Sequence, residues 1–385
     1  MAQRTPIAWL SLVHRKPRLI AAVAGVAFAS VLMFVEMGFR YGLFDSQTYA
    51  IEMFNADLVI LHRQKEALVP QLPFPRRRLA QALGVPQIAA AYPLYVEEYR
   101  STWKNAGNGQ DYPILAYGID PDDPVFLIPD VLRQSEALKQ PDTALVDLQS
   151  RDFYGPLAAG RAGELSRRHV RIVGTFALGS DFRVDGNIIV SDRTFENAFG
   201  NPADPAARRS LVEFGLLKVR PGEDIAAVQR ALIAALPDDV RVLTKRELIG
   251  LVQDYWNSSK PVGVVFGLGM FVGFLIGVAV CYQILYTDIL DHLPQYATLK
   301  AIGYHNRDVV LLVMRKAFYL GALGFVVGMA CSVGLYAALH AYSGIRMEFT
   351  LGRTLVVMLS TIAMCLASAG IAIRKVVETD PAEVF

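Results

Sequence analysis

Residues 290–316, LDHLPQYATLKAIGYHNRDVVLLVMRK, decide how the rest of the chain is read. They separate two long apolar segments, yet they are charged and partly amphipathic. The stretch runs to about thirty residues, where a plain connection between helices needs roughly two to eight. Pro294 followed by Gln295-Tyr296-Ala297-Thr298-Leu299-Lys300-Ala301-Ile302 predicts a short helix opened by a proline and closed by Gly303. Leu299 and Ile302, with Thr298 and Ala301 beside them, form a small apolar face on it. Asn306 is placed to cap a second helix that leads through Arg315 and Lys316 into the next apolar segment. The stretch reads as a docking element on the cytoplasmic side, fused directly to membrane helices.

On either side lie the spans. Pro261 to Tyr286, Phe318 to Leu339 and Thr354 to Ile373 carry no charge, and each reaches the length of about twenty residues that crosses the hydrocarbon. Leu19 to Val35 is a fourth apolar run. A cleaved signal peptide is its rival reading, but Glu36, Phe39 and Arg40 stand where a small-residue cleavage site belongs, so it reads as a retained helix. Arg4, Arg15, Lys16 and Arg18 precede it without an acid, and Arg374-Lys375 closes the last span; both place the termini in the cytoplasm. Ile7-Ala8-Trp9-Leu10 with Leu12-Val13 predicts a short amphipathic helix at the membrane surface.

The resulting division is a cytoplasmic segment 1–18, a first span 19–40, an outer domain 41–260, and a second span 261–286. A coupling segment 287–317, a third span 318–340, a short outer loop 341–353, a fourth span 354–373 and a cytoplasmic tail 374–385 follow. The side of the coupling segment is set by the parity of four spans more than by its own charges.

Composition agrees. Of 385 residues 53% are hydrophobic and 19% charged, which is too apolar for an ordinary soluble enzyme. A net charge of +2 with no long basic run argues against a nucleic-acid partner, and Arg76-Arg77-Arg78 reads as a solvated face. Cys281, Cys331 and Cys365 all fall in apolar segments and read as small packing residues.

The outer block is α+β with two lobes. Its strand-like runs are Asp57–Leu61, Pro113–Tyr117, Val170–Val173, Asn187–Val190, Gly215–Val219 and Val240–Leu243. Ile225–Leu236 is an amphipathic helix entered through Gly222-Glu223-Asp224 and stopped by Pro237. Both ends of the block are helical, through Leu43, Phe44, Ile51 and Phe54 and through Lys245–Trp256 with Thr244 and Glu247 as a capping box. They read as stalks continuing spans one and two; surface helices packed on the domain are the alternative.

No phosphate loop, H-E-x-x-H helix or nucleophile elbow occurs, and the six histidines are scattered, so no catalytic, cofactor or metal residue is predicted. Asp120-Pro121-Asp122-Asp123 reads as a solvated turn. Gly263 and Gly267, then Gly269, Gly273 and Gly277, recur at four-residue spacing, as do Gly324 and Gly328. Such rows let helices approach closely in lipid, within one subunit or across a dimer. Glu36 and Arg40 pair at the end of span one. Almost no ionisable residue lies in the spans, which disfavours a polar pathway through them.

One helix, a large outer domain and three helices resemble the FtsX/MacB-type permeases of ABC exporters, and more closely their DevC-type members. The likeness is carried by Ala8-Trp9-Leu10, Gly25–Ala29, Gly38-Phe39-Arg40, Leu43–Ser46, Asp185-Gly186-Asn187, Tyr282–Tyr286, Asp291-His292-Leu293, Tyr296–Tyr304, Met364-Cys365 and Asp380–Phe385. The resemblance implies a four-span inner-membrane permease with a MacB/FtsX-like α+β domain. It implies a homodimer that binds two copies of a separate cytoplasmic ATPase, which alone holds ATP. Tyr296, Thr298, Leu299, Lys300, Ala301, Ile302, Gly303 and Tyr304 match that family's coupling helix. A periplasmic membrane-fusion adaptor, a TolC-like duct beyond it and membrane lipid are the further partners implied, with efflux driven by mechanotransmission. Gln295 stands where relatives usually carry Glu. An FtsX-like signalling subunit and a lipid- or lipoprotein-extracting permease are the alternative readings.

Overall fold

The computed structural model describes residues 16–68, 71–179, 184–200, 210–259, 262–303, 305–343 and 347–374. The surface helix expected before residue 16, Tyr304 and the segment Asp380–Phe385 lie outside the described residues. The chain divides into a sheet unit, residues 43–261 with 344–346, and a helical unit, residues 1–42, 262–343 and 347–385.

The long helix α1 (Lys16–Glu52) brings its last turns into the sheet unit. There follow β1 (Leu58–His62), β2 (Phe74–Pro75), α2 (Arg77–Leu83), β3 (Ile88–Glu97), β4 (Thr102–Lys104), β5 (Asp111–Pro113) and β6 (Leu115–Ile119). Then come α3 (Pro129–Gln134), β7 (Thr143–Asp147), β8 (Ala162–Leu165), β9 (Arg168–Phe176), β10 (Asn187–Ser191) and α4 (Asp192–Phe199). The unit ends with β11 (Leu211–Val212), β12 (Phe214–Val219), α5 (Ile225–Ala235), β13 (Val240–Thr244) and α6 (Lys245–Asp254). Among the described residues, eleven strands form one sheet in the order β13-β1-β12-β3-β6-β10-β7-β9-β8-β4-β5. Neighbours are antiparallel except β6 with β10 and β7 with β9.

Both faces of this sheet are covered, which is why its strands read as apolar runs. On β1, Leu58 and Ile60 enter a core with Leu79 of α2, Phe195 of α4 and Val228 and Leu232 of α5. Val59 and Leu61 enter the opposite core with Ile51 of α1, Phe54, Val131 of α3, and Leu248 and Val252 of α6. Each fully buried side chain of this kind contributes about 1.5–3 kcal/mol. The Asp224 carboxylate caps α5 by accepting from the Ala226 N–H at 3.1 Å, and Thr244 with Glu247 forms the expected capping box on α6.

The structure corrects the two-lobed expectation: one continuous sheet runs through the unit. The strand that joins its halves, β3, pairs with β12 and β6, and Pro93 within it is a residue that argues against a central strand. The short strands β4, β7 and β8 were also silent in the sequence. The helical ends of the block pack on the sheet, and Lys245 at the start of α6 donates to the Glu52 and Phe54 carbonyls at 2.9 Å each. A cation there complements the C-terminal end of α1. Asp185-Gly186-Asn187 proves to be a structural hub: the Asn187 side-chain amide donates to buried Asp147 at 2.9 Å and to the Gly179 carbonyl at 2.7 Å.

The helical unit holds the first part of α1, α7 (Val262–Asp291), α8 (Leu293–Ala301), α9 (Asn306–Ser343) and α10 (Leu351–Ala372). Four of these, α1, α7, α9 and α10, are long and apolar enough to cross a membrane. Serine and threonine hydroxyls link them: Ser30 on α1 lies 3.0 Å from Thr361 on α10, and Ser368 donates to the Val278 carbonyl of α7 at 2.8 Å. Tyr336 on α9 donates to the Phe34 carbonyl of α1.

Candidate functional site

The segment between α7 and α9 contains the most specific motif in the chain, and the structure builds it as two helical pieces. Pro294 is the second residue of α8, where its missing N–H is harmless. The Ile302 N–H reaches the Thr298 carbonyl at 3.0 Å, and Gly303 follows with φ +106°, a conformation that favours glycine at a helix end. Asn306 is the first residue of α9 rather than its cap. The cap position falls to His305, whose N–H donates to the Asp308 carboxylate at 3.1 Å.

Tyr296 turns inward and is buried, whereas Thr298 and Ile302, four residues apart on one face, are exposed; Ile302 is 73% exposed. Gln295 is exposed as well. Leu299, Lys300 and Ala301 belong to the helix by their backbone, and Tyr304 lies outside the described residues.

The Tyr296 hydroxyl lies 3.3 Å from the Lys316 ammonium of α9, which lies 3.1 Å from the Asp288 carboxylate of α7. His292 adds a contact of 3.4 Å to the same carboxylate. Burial raises the Tyr296 phenol above its ordinary pKa, with Lys316 opposing, so the hydroxyl stays neutral and accepts from the Lys316 ammonium. Lys316 is buried, and a buried cation needs a carboxylate beside it. One tyrosine thus joins three helices through a charged core. Arg18 of α1 and Asp291 of α7 form a further ion pair at this end of the bundle. Sequence reasoning found Tyr296 but missed the roles of Asp288 and His292, whose signal was the four-residue spacing of 288, 292 and 296, and of Lys316, which only the packing of α9 brings to them.

Five glycines of these rows, Gly269, Gly273, Gly277, Gly324 and Gly328, face neighbouring helices in the same chain. A Cβ on Gly269 would meet the Glu36 carboxylate at 2.5 Å, one on Gly273 would meet Leu32 at 3.6 Å, and one on Gly277 would meet Ala29 at 2.9 Å. Gly263 is buried, and Gly267 has nothing within 4 Å. Gly324 and Gly328 of α9 lie against Val26, Ala27 and Ser30 of α1. Cys281 and Cys365 are buried free thiols and Cys331 is an exposed one. Among the described residues, no cluster of three His, Cys, Asp or Glu is placed to hold a metal ion.

These features define a membrane protein with a large α+β domain between its first and second spans. A family model described as the MacB-like periplasmic core domain matches residues 19–235, and one described as the FtsX-like permease C-terminal region matches residues 267–381. The chain belongs to the family of MacB-like and FtsX-like permeases.

Its relatives include an uncharacterized ABC transporter permease of Methanocaldococcus jannaschii, 24% identical over 195 residues, 49% of this chain and 46% of the relative. The chain thus spans about half the length of the curated relative it matches. Similar solved structures include the periplasmic region of MacB from Actinobacillus actinomycetemcomitans, at 10% identity, covering 52% of this chain and 94% of that one, TM-score 0.36. Another is the extracellular domain of the noncanonic ABC-type transporter YknZ from Gram-positive bacteria, at 11% identity, 49% and 99% coverage, TM-score 0.35.

Proposed function

We propose that this chain is the non-catalytic permease subunit of a DevC-type ABC exporter in the inner membrane, with both termini cytoplasmic. In this reading α8 docks on a separate cytoplasmic ATPase, two copies of which serve a dimer of this chain. Nucleotide-driven closure of the ATPases moves α8, and the tie from Tyr296 to Lys316 and Asp288 passes that movement directly to α7 and α9. The α+β domain responds at the far side of the membrane, where a membrane-fusion adaptor leads to a TolC-like duct.

The observation that carries the reading is α8 itself, a short helix between two spans with Tyr296 anchored inward and Thr298 and Ile302 facing outward. The exposed Ile302 at the end of this short helix offers a partner an apolar contact, and the anchor makes movement of that partner felt in the bundle. Replacing Leu299 and Ile302 together by Asp is expected to abolish stimulated ATP hydrolysis by the assembled complex while membrane insertion stays normal. Unchanged hydrolysis would remove α8 from the docking role. Co-purification from native membranes then identifies the ATPase, the adaptor and any retained cargo.

A further inference from the structure

At the end of the bundle opposite α8, helices α1, α7 and α10 enclose a cavity of about 260 Å³. Its lining includes Glu36, Arg40 and Tyr41 of α1, Phe266 and Met270 of α7, and Arg353 at the start of α10. The Arg353 guanidinium lies 4.2 Å from the centre of the Tyr41 ring and that of Arg40 lies 5.8 Å from it. Glu36 reaches inward, its carboxylate against Gly269, where a side chain would displace it. The lining groups Glu36, Arg40 and Arg353 sum to one positive charge, and Arg353 also donates to the Glu348 carbonyl at 3.3 Å. Charges near the apolar part of a span are expensive and tend to mark a ligand.

We propose that this cavity binds the phosphodiester headgroup of a membrane phospholipid. Two guanidiniums line the one cavity, and each presents a planar fork of donors that matches phosphate oxygens, with the Tyr41 ring in cation–π range of both. The one net positive charge complements a phosphodiester monoanion. The volume is below the roughly 300–1,000 Å³ of pockets that enclose a whole small molecule, so a headgroup fits while its acyl chains stay outside. Phe266 and Met270 give the apolar side, and the neighbouring residues Val265 and Leu268 of α7 are exposed for acyl contact. The site rests on the membrane reading of the helices, and on neither the ATPase nor the dimer.

The test is native mass spectrometry of the full chain in detergent micelles, offered phosphatidylglycerol, diacylglycerol with the same acyl chains, or glycerol 3-phosphate. Phosphatidylglycerol is expected to be retained and the other two are not. Replacing Arg40 and Arg353 together by Gln should lower retention by about tenfold or more, as expected for loss of charge-assisted hydrogen bonds. Arg315→Gln, at the other end of the bundle, should leave retention unchanged. Equal retention of diacylglycerol would reduce the site to an apolar groove, and equal retention of glycerol 3-phosphate would exclude a lipid-specific site. Either result overturns the proposal, as does undiminished retention in the double variant. These comparisons on the unaltered chain stand even if the double variant misfolds. Failure of the membrane reading itself would show differently, as a chain that stays soluble without detergent.

Discussion

Lys65 carries its ammonium fully into the sheet unit, 2.6 Å from the Glu213 carboxylate and 4.7 Å from the centre of the Phe214 ring. Burial pulls the lysine below its ordinary pKa and Glu213 pulls it back only in part, so the pair is a compromise with desolvation rather than a large stabiliser. Removing only the carboxylate leaves a buried charge without its ion-pair partner. Glu213→Gln should therefore destabilise the full chain by about 3–5 kcal/mol, whereas Lys65→Met with Glu213→Leu should return it to within about 1 kcal/mol of the original. Denaturant unfolding in detergent, followed by fluorescence of buried Trp103, measures both. Equal losses in the single and double variants would mean that charge burial is not what the pair is about. Nothing in His62-Arg63-Gln64-Lys65-Glu66 announces this: five polar residues in a row read as surface, and the partner lies 148 positions away.

Among the elements, close helix packing depends on which glycines meet a neighbour. Gly277 lies against Ala29 and Met364, and Gly324 lies against Val26. Small residues at such contacts let backbones approach where lipid supplies no hydrophobic drive. Leucine at either position should destabilise the helical unit by about 1–3 kcal/mol or more, through overpacking. Gly267→Leu, with open space around it, should be silent in the same thermal aggregation assay in detergent. If all three behave alike, the glycine row is not a packing device within one chain. The four-residue spacing was visible in the sequence, but the facing residues were not, because spacing fixes a helix face and says nothing of its neighbour. The same holds for α8: its bounds follow from Pro294 and Gly303, while the tie from Tyr296 to Lys316 needs two other helices in place.

For the whole molecule, the proposed topology of four spans with both termini cytoplasmic makes a prediction: α8 and the α+β domain should be reached from opposite sides of the membrane. With the native cysteines replaced by serine, Thr298→Cys should resist an impermeant maleimide in intact spheroplasts, and Glu223→Cys should react. Labelling of both from outside would break the topology. Hydropathy alone determined the four spans, because a run of about twenty apolar residues has few other stable homes. Amphipathic period and capping residues determined α5 and α6, since their signals are local. Tertiary structure alone decided that β3, with Pro93 inside it, joins one continuous sheet, and that Lys65, Asp147 and Lys316 are buried with their partners. Each of these depends on residues far apart in the chain, and the stability of a buried charge or an unpromising strand lies in the neighbours that folding brings to it.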